Sequence, residues 1–176
     1  MRMPTEVKGA DKLRKALRQF EPDLAKETTK ELGNLLKPIT AKARGYMPSE
    51  SPLSGWAARS FNEGKFPTYN PTLAKRGISY KTSPSRPNRR GWRSLVSIVN
   101  KSAAGAIYET AGRKNPGGNF SPRLDRGIAE LKGQGKLEGR SIFRAWDEDQ
   151  GKTQGAVIKA IEASAVKFNN RTPKVN

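Results

Sequence analysis

The sequence predicts an α+β fold: several amphipathic helices packed against a small antiparallel sheet, with a long Pro/Gly-rich basic arm. Three observations predict it. Apolar residues recur at helical spacing near both ends of the chain. A short apolar alternation lies between them. The stretch before that alternation is dense in proline and glycine. At 176 residues, length favours one domain, 1–176, since domains run to roughly 150 residues.

The first helix reads from DKLRKALRQF, where Leu13, Ala16, Leu17 and Phe20 share one face. Pro22 suits the first turn of a second helix, and Asp23 suits its positive end. That helix spans about 22–45 on Leu24, Leu32, Leu35, Leu36, Ile39 and Ala43, and Pro38 should kink or divide it.

Residues 49–91 read as an extended loop or arm. Proline stands at 52, 67, 71, 84 and 87 and glycine at 55, 64, 77 and 91, which breaks regular elements. Trp56, Phe61, Phe66 and Tyr69 punctuate it, and a short strand fits Ile78 to Thr82. WRSLVSIVN, residues 92–100, alternates as a strand. Ala103 to Glu109 fits either a second strand or a short helix. GRKNPGGN, 112–119, is a turn by composition, and Ser121-Pro122 starts a helix carrying Leu124, Ile128 and Leu131. A last helical segment, 140–168, puts Ile142, Trp146, Val157, Ile161, Ala165 and Phe168 near one face, with a weak point or break at DEDQGKTQG. Residues 169–176 read as a frayed tail.

Composition narrows function. The chain has no cysteine and no histidine, so thiolate chemistry, His-based triads and His/Cys zinc sites are excluded. Nothing singles out a catalytic carboxylate pair, and the expectation is a protein without enzymatic activity, cofactor or metal. The opening MRMPTEVKGADK has no apolar core of a signal peptide, and no apolar run approaches a membrane span. The expectation is a soluble chain made in a cytoplasm. The acidic run Asp147, Glu148, Asp149 reads as a solvated helix surface, and Asp125 as ordinary.

Charge is the strongest signal. The formal net charge is +18. Nine basic residues and no acidic one lie between Glu63 and Glu109: Lys65, Lys75, Arg76, Lys81, Arg86, Arg89, Arg90, Arg93 and Lys101. Half the net charge sits in a quarter of the chain. Such an arm seeks a polyanion or an acidic protein surface, with Tyr69, Tyr80 and Trp92 nearby to stack or to anchor. No motif for sequence-specific readout accompanies it, so any DNA contact is to phosphates.

Three blocks carry a family likeness: VKGADKLRKAL followed by a long helix, AGAIYETAG (104–112) and GRSIFRAWDE (139–148). In this order they resemble the minor tail protein Z-like family of tail-completion or head–tail joining proteins in the neck of long-tailed bacteriophages. The resemblance implies helices against a small sheet and a structural role with no catalytic residues. Tyr108, Phe143 and Trp146 would fill the core. Copies of the chain would form a ring joining the capsid connector to the tail tube, six-fold by preference and twelve-fold as the alternative. Partners would be neighbouring neck and tail-tube proteins, with phosphate contacts to genomic DNA in the channel and no membrane. The location would be the virion neck or tail, and the host cytoplasm during assembly. The arm would clasp a neighbour, with Trp56, Phe61 and Phe66 as apolar anchors. Lys75, Arg76, Lys81, Arg86, Arg89, Arg90 and Arg93 would make partner or DNA contacts. A tail terminator or head-closure component, or a non-specific nucleic-acid-binding protein, are the alternatives.

Overall fold

The computed structural model describes residues 9–53, 56, 67–111, 124–125 and 139–171. The fold is α+β: six helices and a two-stranded antiparallel sheet among the described residues. Helix α1 is Ala10–Phe20, α2 Pro22–Gly45 and α3 Pro71–Gly77. Strands β1, Ile78–Lys81, and β2, Ser97–Asn100, form the sheet. Helix α4 is Ala103–Thr110, α5 Ile142–Glu148 and α6 Lys152–Arg171. The chain divides into two compact units. One comprises residues to Leu36, Lys81–Ser97 and Gly151 onward; the other comprises Lys37–Tyr80 and Ile98–Gln150.

The first unit is built on α1, the first part of α2, and α6. Gly9, at φ 80°, takes a left-handed conformation that glycine tolerates, and its carbonyl accepts from the Leu13 amide at 2.9 Å. The core joins Ala10, Leu32, Val157, Ala160 and Ile161, with Leu13, Leu35, Leu95 and Val96 packed against it. Thr28 and Ser164 are buried in the same layer and share a 2.8 Å hydroxyl–hydroxyl bond. Each hydroxyl also lies 2.8 Å from a carbonyl of its own helix, that of Leu24 or Ala160, so both protons of the pair have an acceptor within reach. At the exposed rim, Lys167 pairs with Glu27 and Arg171 with Glu21. The helix therefore runs on through 169–171, where fraying is expected from sequence; 172–176 lie outside the described residues.

The second unit has a separate core of Ile39, Ala43, Met47, Trp56, Tyr69, Ala74, Ile78, Ala104, Tyr108, Leu124 and Ala145. Trp56 and Tyr69 meet at 5.0 Å between ring centroids. The Trp56 indole donates to the Pro67 carbonyl at 2.8 Å, and the Tyr69 hydroxyl to that of Pro48 at 2.8 Å. Burial raises the Tyr69 pKa and pushes that of Tyr108 up to about 12. Arg44 turns its guanidinium onto the Ile78 carbonyl at 2.7 and 3.0 Å.

Several expectations change. Residues 49–91 are not one arm, because α3 lies inside that range; the short strand expected from Ile78 is present as β1. The cause is local: Asn70 caps the Leu73 amide at 3.0 Å, Pro71 opens the helix, and Ala74 and Ile78 are buried. Pro38 does not divide α2. Ala103 to Thr110 is a helix, capped by Ser102 at the Gly105 amide, 3.1 Å. The strand expected over 92–100 is confined to 97–100, since Pro84 and Pro87 on the facing leg offer no ladder donors. The C-terminal helix does break within DEDQGKTQG, where the sequence offers a weak point or break, at Gln150 and Gly151 with φ 52° and 81°. That break resets the phase of the apolar stripe. Trp146 and Phe143, expected in the core, are 40% and 41% exposed, and α5 buries Ala145 instead. The turn at 112–119 and most of the helix from Ser121 lie outside the described residues.

Burial separates the tryptophans energetically. Trp56→Ala should cost about 3–5 kcal/mol as a large-to-small core change. Trp146→Ala should stay within about 0.5 kcal/mol, as at an ordinary surface position. Denaturant unfolding of the two variants measures both.

Candidate functional site

The stretch between β1 and β2, residues 82–96, forms an irregular hairpin. The Lys101 amide donates to the Gly77 carbonyl at 3.0 Å on the far side of the strands. Beyond them, the Ser85 amide donates to the Ser94 carbonyl at 2.9 Å, and the Ser94 amide returns to the Ser85 hydroxyl at 2.9 Å. Ser85 thus supplies from its side chain an acceptor that a regular ladder takes from the backbone. The tip closes on Asn88. Its amide donates to the Trp92 carbonyl at 2.8 Å, and its side-chain oxygen accepts from the Arg90 and Trp92 amides at 2.9 and 3.0 Å. Gly91, at φ 79°, makes the turn without strain.

Every residue from Ser85 to Ser94 is exposed. Arg86, Arg89, Arg90 and Arg93 project here beside Trp92, which is 46% exposed. Among the described residues no carboxylate pairs with Arg86, Arg89 or Arg90; Arg93 reaches Asp11 on α1 at 3.5 Å. Lys81, exposed, ends β1 at the base of one leg.

Arg14 holds that base. It is only 6% exposed, and its guanidinium donates to the Leu95 carbonyl at 3.2 Å and to the Thr82 carbonyl on the opposite leg. Burial, then the neighbouring Arg18, lowers its pKa, with Asp11 acting in the other direction. Nothing in a lysine- and arginine-rich helix marks this position from sequence alone. Its spacing of four from Ala10 and three from Leu17, both buried, is the one available signal.

Lys75 and Arg76 lie in the last turn of α3 in the second unit, Lys75 donating to the Ser49 hydroxyl at 3.1 Å. Trp56 is 1% exposed and anchors its segment within this chain. Phe61 and Phe66 lie outside the described residues.

A second polar centre was missed. Glu109, at the end of α4, is buried and accepts from the Ser141 and Phe143 amides at 2.8 and 3.0 Å and from the Ser141 hydroxyl. It thereby caps α5, whose own Ser141 makes no cap. A Cβ at Gly139 would collide with this carboxylate. Fully buried Arg140 donates to Asp125 at 2.6 Å and to the Tyr108 carbonyl at 2.7 Å, and its guanidinium lies 5.9 Å from the Tyr108 ring centre. Asp125 is therefore the partner of a buried cation, not an ordinary surface carboxylate.

Nor is Glu148 merely solvated. Lys42 donates to it at 2.6 Å, Arg144 at 3.0 Å and the Tyr46 hydroxyl also, with Arg144 stacked 4.0 Å from the Tyr46 ring centre. Burial pushes the Glu148 carboxyl up, but hydrogen bonds from Lys42, Tyr46 and Arg144 outweigh it and leave its pKa lowered. The Glu148 hydrogen bond raises that of Lys42. Among the described residues, no group of three or more carboxylates could hold a metal ion, and no helix is long and apolar enough to cross a membrane. No family model, curated protein or solved structure matches the chain.

Arg14→Met should speed hydrogen exchange at the Ser85 and Ser94 amides at least tenfold while α6 amides change far less. Proton-exchange spectra of both proteins read this directly. A second expectation concerns pH. Glu148 contributes stability above the ordinary value of 4.5, lost as pH falls through its lower folded value. Lys42 contributes below the ordinary value of 10.5, lost as pH rises through its higher folded value. Glu148→Gln should flatten both limbs in melting curves taken across pH.

Proposed function

We propose that this chain is a structural protein of the neck of a long-tailed bacteriophage. In this reading its copies form a ring that joins the capsid connector to the tail tube, and it acts by docking rather than by catalysis. The observation that carries the reading is the exposed hairpin: four arginines on a limb where, among the described residues, only Arg93 meets a carboxylate. A limb so charged and so exposed finds its purpose in a partner.

A second observation supports the family likeness. Two of the three blocks that carry it, 104–112 and 139–148, meet through Glu109, Gly139, Arg140 and Ser141. Residues far apart in sequence thus form one joint, which gives those short motifs a physical reason. Exposed Phe143 and Trp146 suit contacts between copies better than a core role. Six-fold symmetry is the preferred arrangement and twelve-fold the alternative. A tail terminator or head-closure component would occupy an adjacent layer of the same neck.

Replacing residues 86–93 by an Asn-Gly turn should leave helicity and melting unchanged but abolish joining of purified heads to tails. Electron microscopy of the mixed components counts joined particles. Normal joining with the shortened hairpin would overturn the docking role.

A further inference from the structure

We propose that the hairpin tip binds duplex DNA at its phosphates without reading sequence, as a two-stranded ribbon lying along a groove. The proposal deepens the neck reading by naming what its limb grips. It rests on that reading only for the hairpin as contact surface.

Three observations favour DNA over an acidic protein. First, the hairpin's cations are all arginine: residues 82–96 hold four arginines, no lysine and no acidic residue. A guanidinium bonds phosphate bidentately, whereas lysine acts as a point charge. Second, the tip is a narrow, wholly exposed ribbon, with Trp92 as its only large exposed hydrophobic side chain. A protein interface needs an apolar core of fully buried contacts within roughly 800 Å² on each partner. A two-stranded ribbon, by contrast, fits the major groove of B-form DNA, about 12 Å wide, with phosphates on both walls. Third, three of the four arginines are held apart from carboxylates among the described residues. Asp11 engages Arg93 at the stem, and among the described residues Arg86, Arg89 and Arg90 have no acidic partner to release before binding. The hairpin itself carries no base-reading element beyond these arginines, so contact with phosphates sets affinity and position.

The test uses the purified full chain, so its failure is distinguishable from failure of head–tail joining. A Trp146→Phe background leaves Trp92 as the exposed fluorescent reporter. Short duplex DNA, single-stranded DNA of the same length and poly-glutamate are titrated at several salt concentrations. The expected result is duplex binding that changes Trp92 emission and is tighter than binding of the other two probes. Each phosphate contact contributes about −0.9 to the slope of log affinity against log salt. Arg86→Gln, Arg89→Gln and Arg90→Gln together should therefore reduce the slope by about 2.7, while overall positive charge elsewhere leaves a residual slope. Arg89→Gln alone should reduce it by about 0.9, which keeps the test sound if the triple variant folds poorly. An unchanged slope in these variants, tighter binding of poly-glutamate or single strands, or silent Trp92 emission would each overturn the proposal.

Discussion

The guanidinium of Arg14 fixes both legs of the hairpin at once, through the Thr82 and Leu95 carbonyls. Removing an arginine from water is costly, and carbonyl dipoles offset that cost without cancelling the charge. The arrangement fastens both legs of the limb through carbonyl oxygens and adds no negative charge to it. Everything exposed beyond Ser85 depends on it, because prolines 84 and 87 prevent a continuous ladder and the turn at Asn88 is local. The tip's order is therefore inherited from a helix more than sixty residues earlier in the chain.

The second unit solves a related problem with the opposite sign. Glu109 brings a negative charge into a buried layer, and the amides at the start of α5 receive it. Arg140, the next buried charge, is satisfied by Asp125 and a carbonyl. Here polar groups specify which segments meet, in a core whose apolar contacts alone are permissive about register. The proximity of Gly139 to the carboxylate adds a steric condition that few other residues meet.

Much of this was legible in the sequence, and the boundary is physical. Helix α2 was readable because the stripe Leu24, Leu32, Leu36, Ile39 and Ala43 is long enough to define a phase, and each of those residues is buried; the shorter stripe of α1 placed Leu17 inside but also Phe20, which is exposed. The break at Gln150 and Gly151 destroyed that advantage downstream. Trp146 and Val157 appear in phase on paper, but a left-handed pair between them turns the reckoning over. Helix α3 hid among prolines, although Asn70-Pro71 is an N-terminal signature. The charged hairpin was visible as charge. Its shape was not, because Arg14 and the Ser85 hydroxyl make contacts that no periodicity encodes. Glu109, flanked by apolar residues and isolated from other acids, was the one buried charge that composition could have flagged.

The arrangement of the two cores has a consequence for synthesis on the ribosome. Residues 139–143 must be available before Glu109 finds its donors, and Val157, Ala160 and Ile161 before Leu32 is covered. Neither core can close while only the first three-quarters of the chain has emerged. Nascent chains therefore carry uncovered apolar stripes through most of translation, and chaperones have a long window in which to engage them. The second unit becomes able to fold first, although it begins later in the chain.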